Sequence, residues 1–151
     1  MTEQDLRRTA AELKAPSSEA LGEYAAKRDM LVAEVNRIML SRPDLEELIG
    51  PGNTAMMQDN HSNHSRFVES ILRYPNPDAL VETVLWVYRA YRSHGFRLTY
   101  WPAQLNAWVE VLKRELSEET FRAIHPLYDW FIVNQAAFVK LTDAEVNTAA
   151  Q

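Results

Sequence analysis

Cysteine is absent from the 151 residues, which removes disulfides, thiolate metal sites and any thioether-linked cofactor. Glycine is scarce too, with 4 residues against 7 prolines. The prolines stand at segment boundaries, a distribution that suits helices joined by short corners. No run reaches the roughly 18 apolar residues of a membrane-spanning helix, and Met1–Lys14 has no apolar stretch of the kind that makes a secretion signal. The expected compartment is the cytoplasm, with no membrane partner. Basic blocks are missing as well: the net charge is −5, with the two signs interleaved. Nothing is gathered to neutralise phosphates, so nucleic acid is not an expected partner. Glycine-rich phosphate loops, nucleophile elbows and paired-carboxylate motifs do not occur. The expectation is a protein that is not an enzyme.

What the chain does have is helical periodicity. Hydrophobic residues make up 46% and charged residues 25%, the usage of one globular domain. Leu6, Ala10 and Leu13 mark a first helix within Met1–Ala15, which Pro16 ends. Ser18 is placed to cap a second helix, which runs to Leu40. Its seam of Leu21, Tyr24, Leu31, Val35 and Ile38 is narrow enough to meet a partner helix. Gly50-Pro51-Gly52-Asn53 reads as a turn. A third helix follows over Thr54–Tyr74, and Asn76 with Pro77 opens a fourth, about Asp78–His94, closed by Gly95. The corner Phe96–Trp101 leads through Pro102 into a fifth helix. Ser117 caps a sixth, which Pro126 is expected to kink or restart, and Thr142–Glu145 has the form of a capping box for a short last turn. No strand-like alternation appears, so the expected class is all-α.

The third helix carries the informative residues. At 100° per residue, Met57, His61, His64, Val68 and Ile71 fall on one face. Two imidazoles interrupt what is otherwise a core stripe, with Asn60 at its border and Asn63 nearer the far side. Inward-facing imidazoles need partners: a ligand, a metal, backbone carbonyls or each other. A metal is disfavoured by the spacing of three and the lack of further ligands, since Asp59 points away. His94 and His125 read as surface or capping residues.

Aromatic residues gather nearby. Trp86, Tyr88, Tyr91, Tyr100, Trp101 and Trp108 fall in the fourth helix, the corner and the fifth helix. Trp108 reads as core. Tyr100-Trp101, at the corner, is placed to wall a pocket and to offer a hydroxyl or an indole N–H. Arg89, Arg92 and Arg97 flank the region and suit carboxylates, although solvated arginines are the commoner case.

Arg42-Pro43-Asp44-Leu45 followed by Pro51-Gly52-Asn53 and a long helix resembles the phycobiliprotein pattern. Tyr100-Trp101, Val109–Lys113 and the aromatic–Asp pair of Tyr128-Asp129 fit the same order, over roughly Leu31–Phe138. The resemblance implies one globin-like helical bundle over residues 1–151, with residues 1–16 as an N-terminal helical extension and 17–141 as the core. It also implies a homodimer through the N-terminal helices. Where the family has its bilin-bonding cysteine this chain has Ser62, and where it has an Arg–Asp pair it has His64-Ser65. The chain is more similar to bilin-biosynthesis-associated globins, which implies noncovalent binding of a linear tetrapyrrole of the biliverdin or phycocyanobilin type. The implied site is His61, His64 and Asn60 toward the pyrrole edge, Trp86, Tyr100 and Trp101 around the rings, and Arg89 and Arg92 on the propionates. A resemblance to helical segments ahead of cobalamin-binding domains keeps a haem- or cobalamin-responsive module as an alternative. A ligand-free interaction domain working through Tyr24, Leu31 and Ile38 is the other.

Overall fold

A computed structural model describes the backbone of residues 1–150 and the side chains of residues 1–143. The molecule is an all-α bundle, with no strand among the described residues. Its helices are α1 (Glu3–Ala10), α2 (Ser18–Leu40), α3 (Leu45–Ile49), α4 (Thr54–Arg73), α5 (Pro77–Ser93), α6 (Tyr100–Glu115), α7 (Glu118–Val133) and α8 (Gln135–Ala150). No helix among the described residues is long and apolar enough to cross a membrane.

Local chemistry sets most of these boundaries. Thr2 and Asp5 form a capping box on α1, and Asn76 accepts from the Ala79 amide with Pro77 in the first turn of α5. Ser117 accepts from the Thr120 amide at the head of α7. The α2 cap is Ser17, one residue earlier than expected, because its hydroxyl reaches the Ala20 amide. The first helix stops at Ala10, well short of Ala15. The Gly50–Asn53 turn is present, and a short unexpected helix, α3, precedes it. α6 begins at Tyr100, ahead of Pro102, so Tyr100-Trp101 forms its first turn and not a corner. α7 runs on through Pro126. Thr142 is no cap either: it lies inside α8, buried, and its hydroxyl donates back to the Phe138 carbonyl at 2.8 Å. The Glu145 side chain lies outside the described residues.

α2 is the central strut, packed against α4, α6 and α7. Tyr24, Leu31, Val35 and Met39 are fully buried, each aliphatic contributing about 1.5–3 kcal/mol by leaving water. Tyr24 also donates its hydroxyl to the Ser65 carbonyl at 2.9 Å, tying α2 to α4. The α2 seam is therefore core, and a docking role through Tyr24 and Leu31 is overturned because both are already covered within the chain.

α1 lies on α5. Leu6 and Ala10 are buried there, and Trp130 donates its indole N–H to the Thr9 hydroxyl at 3.0 Å. Leu6 and Ala10 are thus covered inside the chain, which removes them from any dimer contact, while Leu13 is only partly buried. At the opposite corner Asn53 donates to the carbonyls of Ile49 (2.7 Å) and His94 (2.8 Å), and the Arg97 amide donates to the Leu48 carbonyl. These bonds clamp the α3–α4 turn to the α5–α6 corner and fix α4 relative to α6, the pair that frames the site.

Candidate functional site

The α4 face found by periodicity turns inward: Met57, His61, Val68 and Ile71 are buried, and His64 is partly so. The two imidazoles nevertheless meet different surroundings. His61 is fully buried, with a polar atom beside each ring nitrogen. Nδ1 lies 2.6 Å from Oδ1 of Asn36 on α2, and Nε2 lies 3.1 Å from the oxygen of the Tyr100 hydroxyl, whose single proton is directed to Oδ1 of Asn60 at 2.7 Å. Because a carboxamide oxygen only accepts, His61 carries its proton on Nδ1 and gives it to Asn36. The rings of His61 and Tyr100 are nearly parallel, with an interplanar angle of 11°. Burial brings the His61 imidazole down to about 4, so it is neutral at pH 7.

His64 sits among rings, with centroids 5.0 Å from Trp108, 5.7 Å from Tyr128 and 5.9 Å from Phe131. Its Nε2 is 2.7 Å from the Tyr128 hydroxyl. Burial first, and the neighbouring His61 second, bring it down to about 3. Burial also raises the Tyr128 phenol well above its ordinary value, so both partners are neutral. Tyr128 is fully buried and has no other acceptor among the described residues. Its O–H therefore donates to Nε2, which leaves the His64 proton on Nδ1. No hydrogen bond reaches that Nδ1–H among the described residues.

His64 borders a cavity of about 280 Å³ between α4, α5, α6, α7 and α8. Aromatic side chains make a large share of its wall: Phe67 from α4, Trp86, Tyr88 and Tyr91 from α5, Trp101 from α6, and Phe131 and Phe138 from the last two helices. Trp101 stacks on Tyr88 at 4.8 Å and 19°. Trp86 is 59% exposed and lines the cavity, so it stands where the cavity meets solvent. Asn60 and Gln104 supply polar groups. The Gln104 Nε2 and the Trp101 Nε1 are buried and have no hydrogen-bond partner. Trp108 Nε1 is also unpartnered, but Trp108 does not line the cavity.

Four of the expected site residues thus meet at one cavity: Asn60, His64, Trp86 and Trp101. His61 and Tyr100 lie behind it, side by side and bonded to Asn36 and Asn60 respectively. Their polar atoms brace the wall, which corrects the reading of Tyr100 as a pocket wall. Arg89 and Arg92 are not among the lining residues, and Arg92 is paired with Asp143. His94 is exposed and is the C-cap of α5, while His125 lies 3.4 Å from Asp129. No convergent group of three or more His, Asp or Glu side chains exists among the described residues.

Sequence reasoning missed Asn36, Gln104 and Tyr128 as working partners. Gln104 had a signal: it falls three residues after Trp101 and four before Trp108, a polar residue on an apolar α6 face. Asn36 had none. No family model, curated protein sequence or solved structure matches the chain.

Proposed function

We propose that the protein binds a flat, conjugated ligand noncovalently in the α4–α8 cavity, with a linear tetrapyrrole of the biliverdin or phycocyanobilin type as the class suggested by the sequence resemblance. It acts as a carrier, sensor or pigment protein. The observation that carries the reading is the ring-walled cavity with the neutral His64 imidazole on its border. Aromatic walls with a few fixed polar groups suit conjugated ring systems. Without cysteine, retention rests on packing and hydrogen bonds alone.

Arg92 has a carboxylate partner in Asp143, which competes with any propionate. A bilin therefore sits with its propionates toward the solvent edge near Trp86. The haem- or cobalamin-sensing alternative needs a free imidazole nitrogen for the metal. The His61 Nδ1 and the His64 Nε2 are engaged and α5 carries no histidine, which leaves the His64 Nδ1, in its unprotonated form, as the nitrogen that alternative would use.

The test is to produce the protein with biliverdin or phycocyanobilin supplied and record its visible spectrum. A red-absorbing band lost on denaturation is expected, and His64→Ala shifts or abolishes it while helicity is unchanged. A Soret band from co-purified haem, or a colourless protein with bilin in excess, overturns the reading.

A further inference from the structure

The lining of the α4–α8 cavity holds no Lys, Arg, Asp or Glu, so an acidic group on a ligand keeps its charge only by staying outside. Exposure marks the way out. Of the lining residues only Asn63 on α4 and Trp86 on α5 are exposed, which places both on the rim. Arg66, one turn beyond Asn63 and itself exposed, donates from its guanidinium Nη2 to the Asn63 Oδ1 at 2.5 Å. That bond holds the guanidinium one side chain outside the opening. Arg66 has no carboxylate partner among the described residues. The carboxylate one turn further along α4, Glu69, is held by Arg28 of α2 at 3.1 Å and by Arg73 at 3.4 Å.

We infer that Arg66 anchors the acid group of the ligand: a carboxylate that leaves the cavity between Asn63 and Trp86 pairs with the guanidinium, which Asn63 holds in position. This rests on the cavity being a ligand site and names the cation at its mouth. It also sets the ligand's direction, with the ring system inside and the acid edge toward solvent. A guanidinium is a planar fork that matches the two oxygens of a carboxylate, which a lysine ammonium does not. Asn63 is neutral, so it fixes the fork without cancelling its charge, and the remaining donors stay available to the ligand.

Biliverdin and its dimethyl ester share one ring system and differ in whether the propionates are ionised, so absorbance titrations with the pair isolate the contact. Arg66→Gln is expected to weaken biliverdin about fivefold, the upper worth of an exposed charge pair, and to leave the ester unchanged. Arg66→Lys, which keeps the charge and loses the fork, should fall between wild type and Arg66→Gln. Added salt should weaken biliverdin binding to the wild type more than to Arg66→Gln. Arg122→Gln removes the same charge from a pair with Glu118 outside the cavity lining and should alter neither affinity. Equal loss for biliverdin and the ester, or no loss for either, overturns the inference and leaves the cavity as a ligand site. So does an equal effect from Arg122→Gln, which would reduce the result to net charge. If the wild type binds neither compound, the reading on which this rests falls with it.

Discussion

The Tyr128 hydroxyl lies 2.7 Å from Nε2 of His64, and that contact decides which edge of the imidazole is left for the cavity. A residue on α7 thereby sets the hydrogen-bonding sense of a residue on α4. One turn earlier, Asn36 takes the His61 Nδ1 proton and the Tyr100 hydroxyl stands beside the other nitrogen.

Tyr128→Phe is expected to leave the His64 Nε2 without its donor. The cost is about 1–3 kcal/mol, the usual penalty for an unmet buried polar group, read as a lower urea midpoint. The ring proton then redistributes between the two nitrogens, which the imidazole nitrogen shifts report. A wild-type His64 already protonated on Nε2 would refute the assignment.

Acid sensitivity should come from the two inward-facing imidazoles. Their folded values of about 4 and about 3 lie below the ordinary 6.5. Below pH 6.5 the unfolded chain takes up protons that the folded chain refuses, so stability is complete above that pH and falls as the pH drops toward 4. Each histidine contributes a slope of about 1.4 kcal/mol per pH unit within the window. Urea titrations between pH 7 and 5 should show this slope, and His64→Gln should remove roughly half of it. A flat profile would sink the account.

Glu23 serves as an outside cap for α7. It accepts from the Ser117 amide and hydroxyl, both at 2.7 Å, and from the Thr120 hydroxyl at 2.8 Å, with Lys27 beside it at 3.1 Å. The Ser117 amide leads the set that brings its carboxyl down to about 2 from 4.5. A depressed carboxyl stabilises above its ordinary value, and the stabilisation is lost as the pH falls from 4.5 toward 2. Glu23→Gln should cost about 1–2 kcal/mol at pH 7 and flatten stability in that acid window. An unchanged thermal midpoint would show that the cap is dispensable.

Gly50 adopts φ 84° and ψ 155°, a region open essentially to glycine alone. A Cβ there would stand 3.3 Å from the Asn53 side-chain Nδ2 and 3.4 Å from the Gly95 carbonyl oxygen. Gly50→Ala should cost about 1–3 kcal/mol, whereas Gly22→Ala, which meets nothing within 4 Å, should be neutral or stabilising. Equal thermal midpoints for the two variants would contradict the strained-corner reading.

The helices were legible because their apolar residues recur at helical spacing and their caps are local. Asn76-Pro77 and Ser117 act within three residues of where they stand. What was not legible depends on distant partners. α3 is five residues long, too short to show a period beside the Gly50–Asn53 turn. Pro126 suggests a break, yet both it and Arg122, whose carbonyl loses its helical donor, are on the exposed side of α7, where the loss is small. That two imidazoles point inward was readable from the α4 stripe. Which of them borders the cavity was not, because Asn36 and Tyr128 decide it from 25 and 64 residues away.

Of the four indoles in the molecule, Trp101, Trp108 and Trp130 are shut away from water, while Trp86 stands at the cavity edge. The protein therefore carries its own occupancy gauge. A dissolved quencher such as iodide reaches one emitter and misses three, and a guest that seats beside Trp86 shields that one.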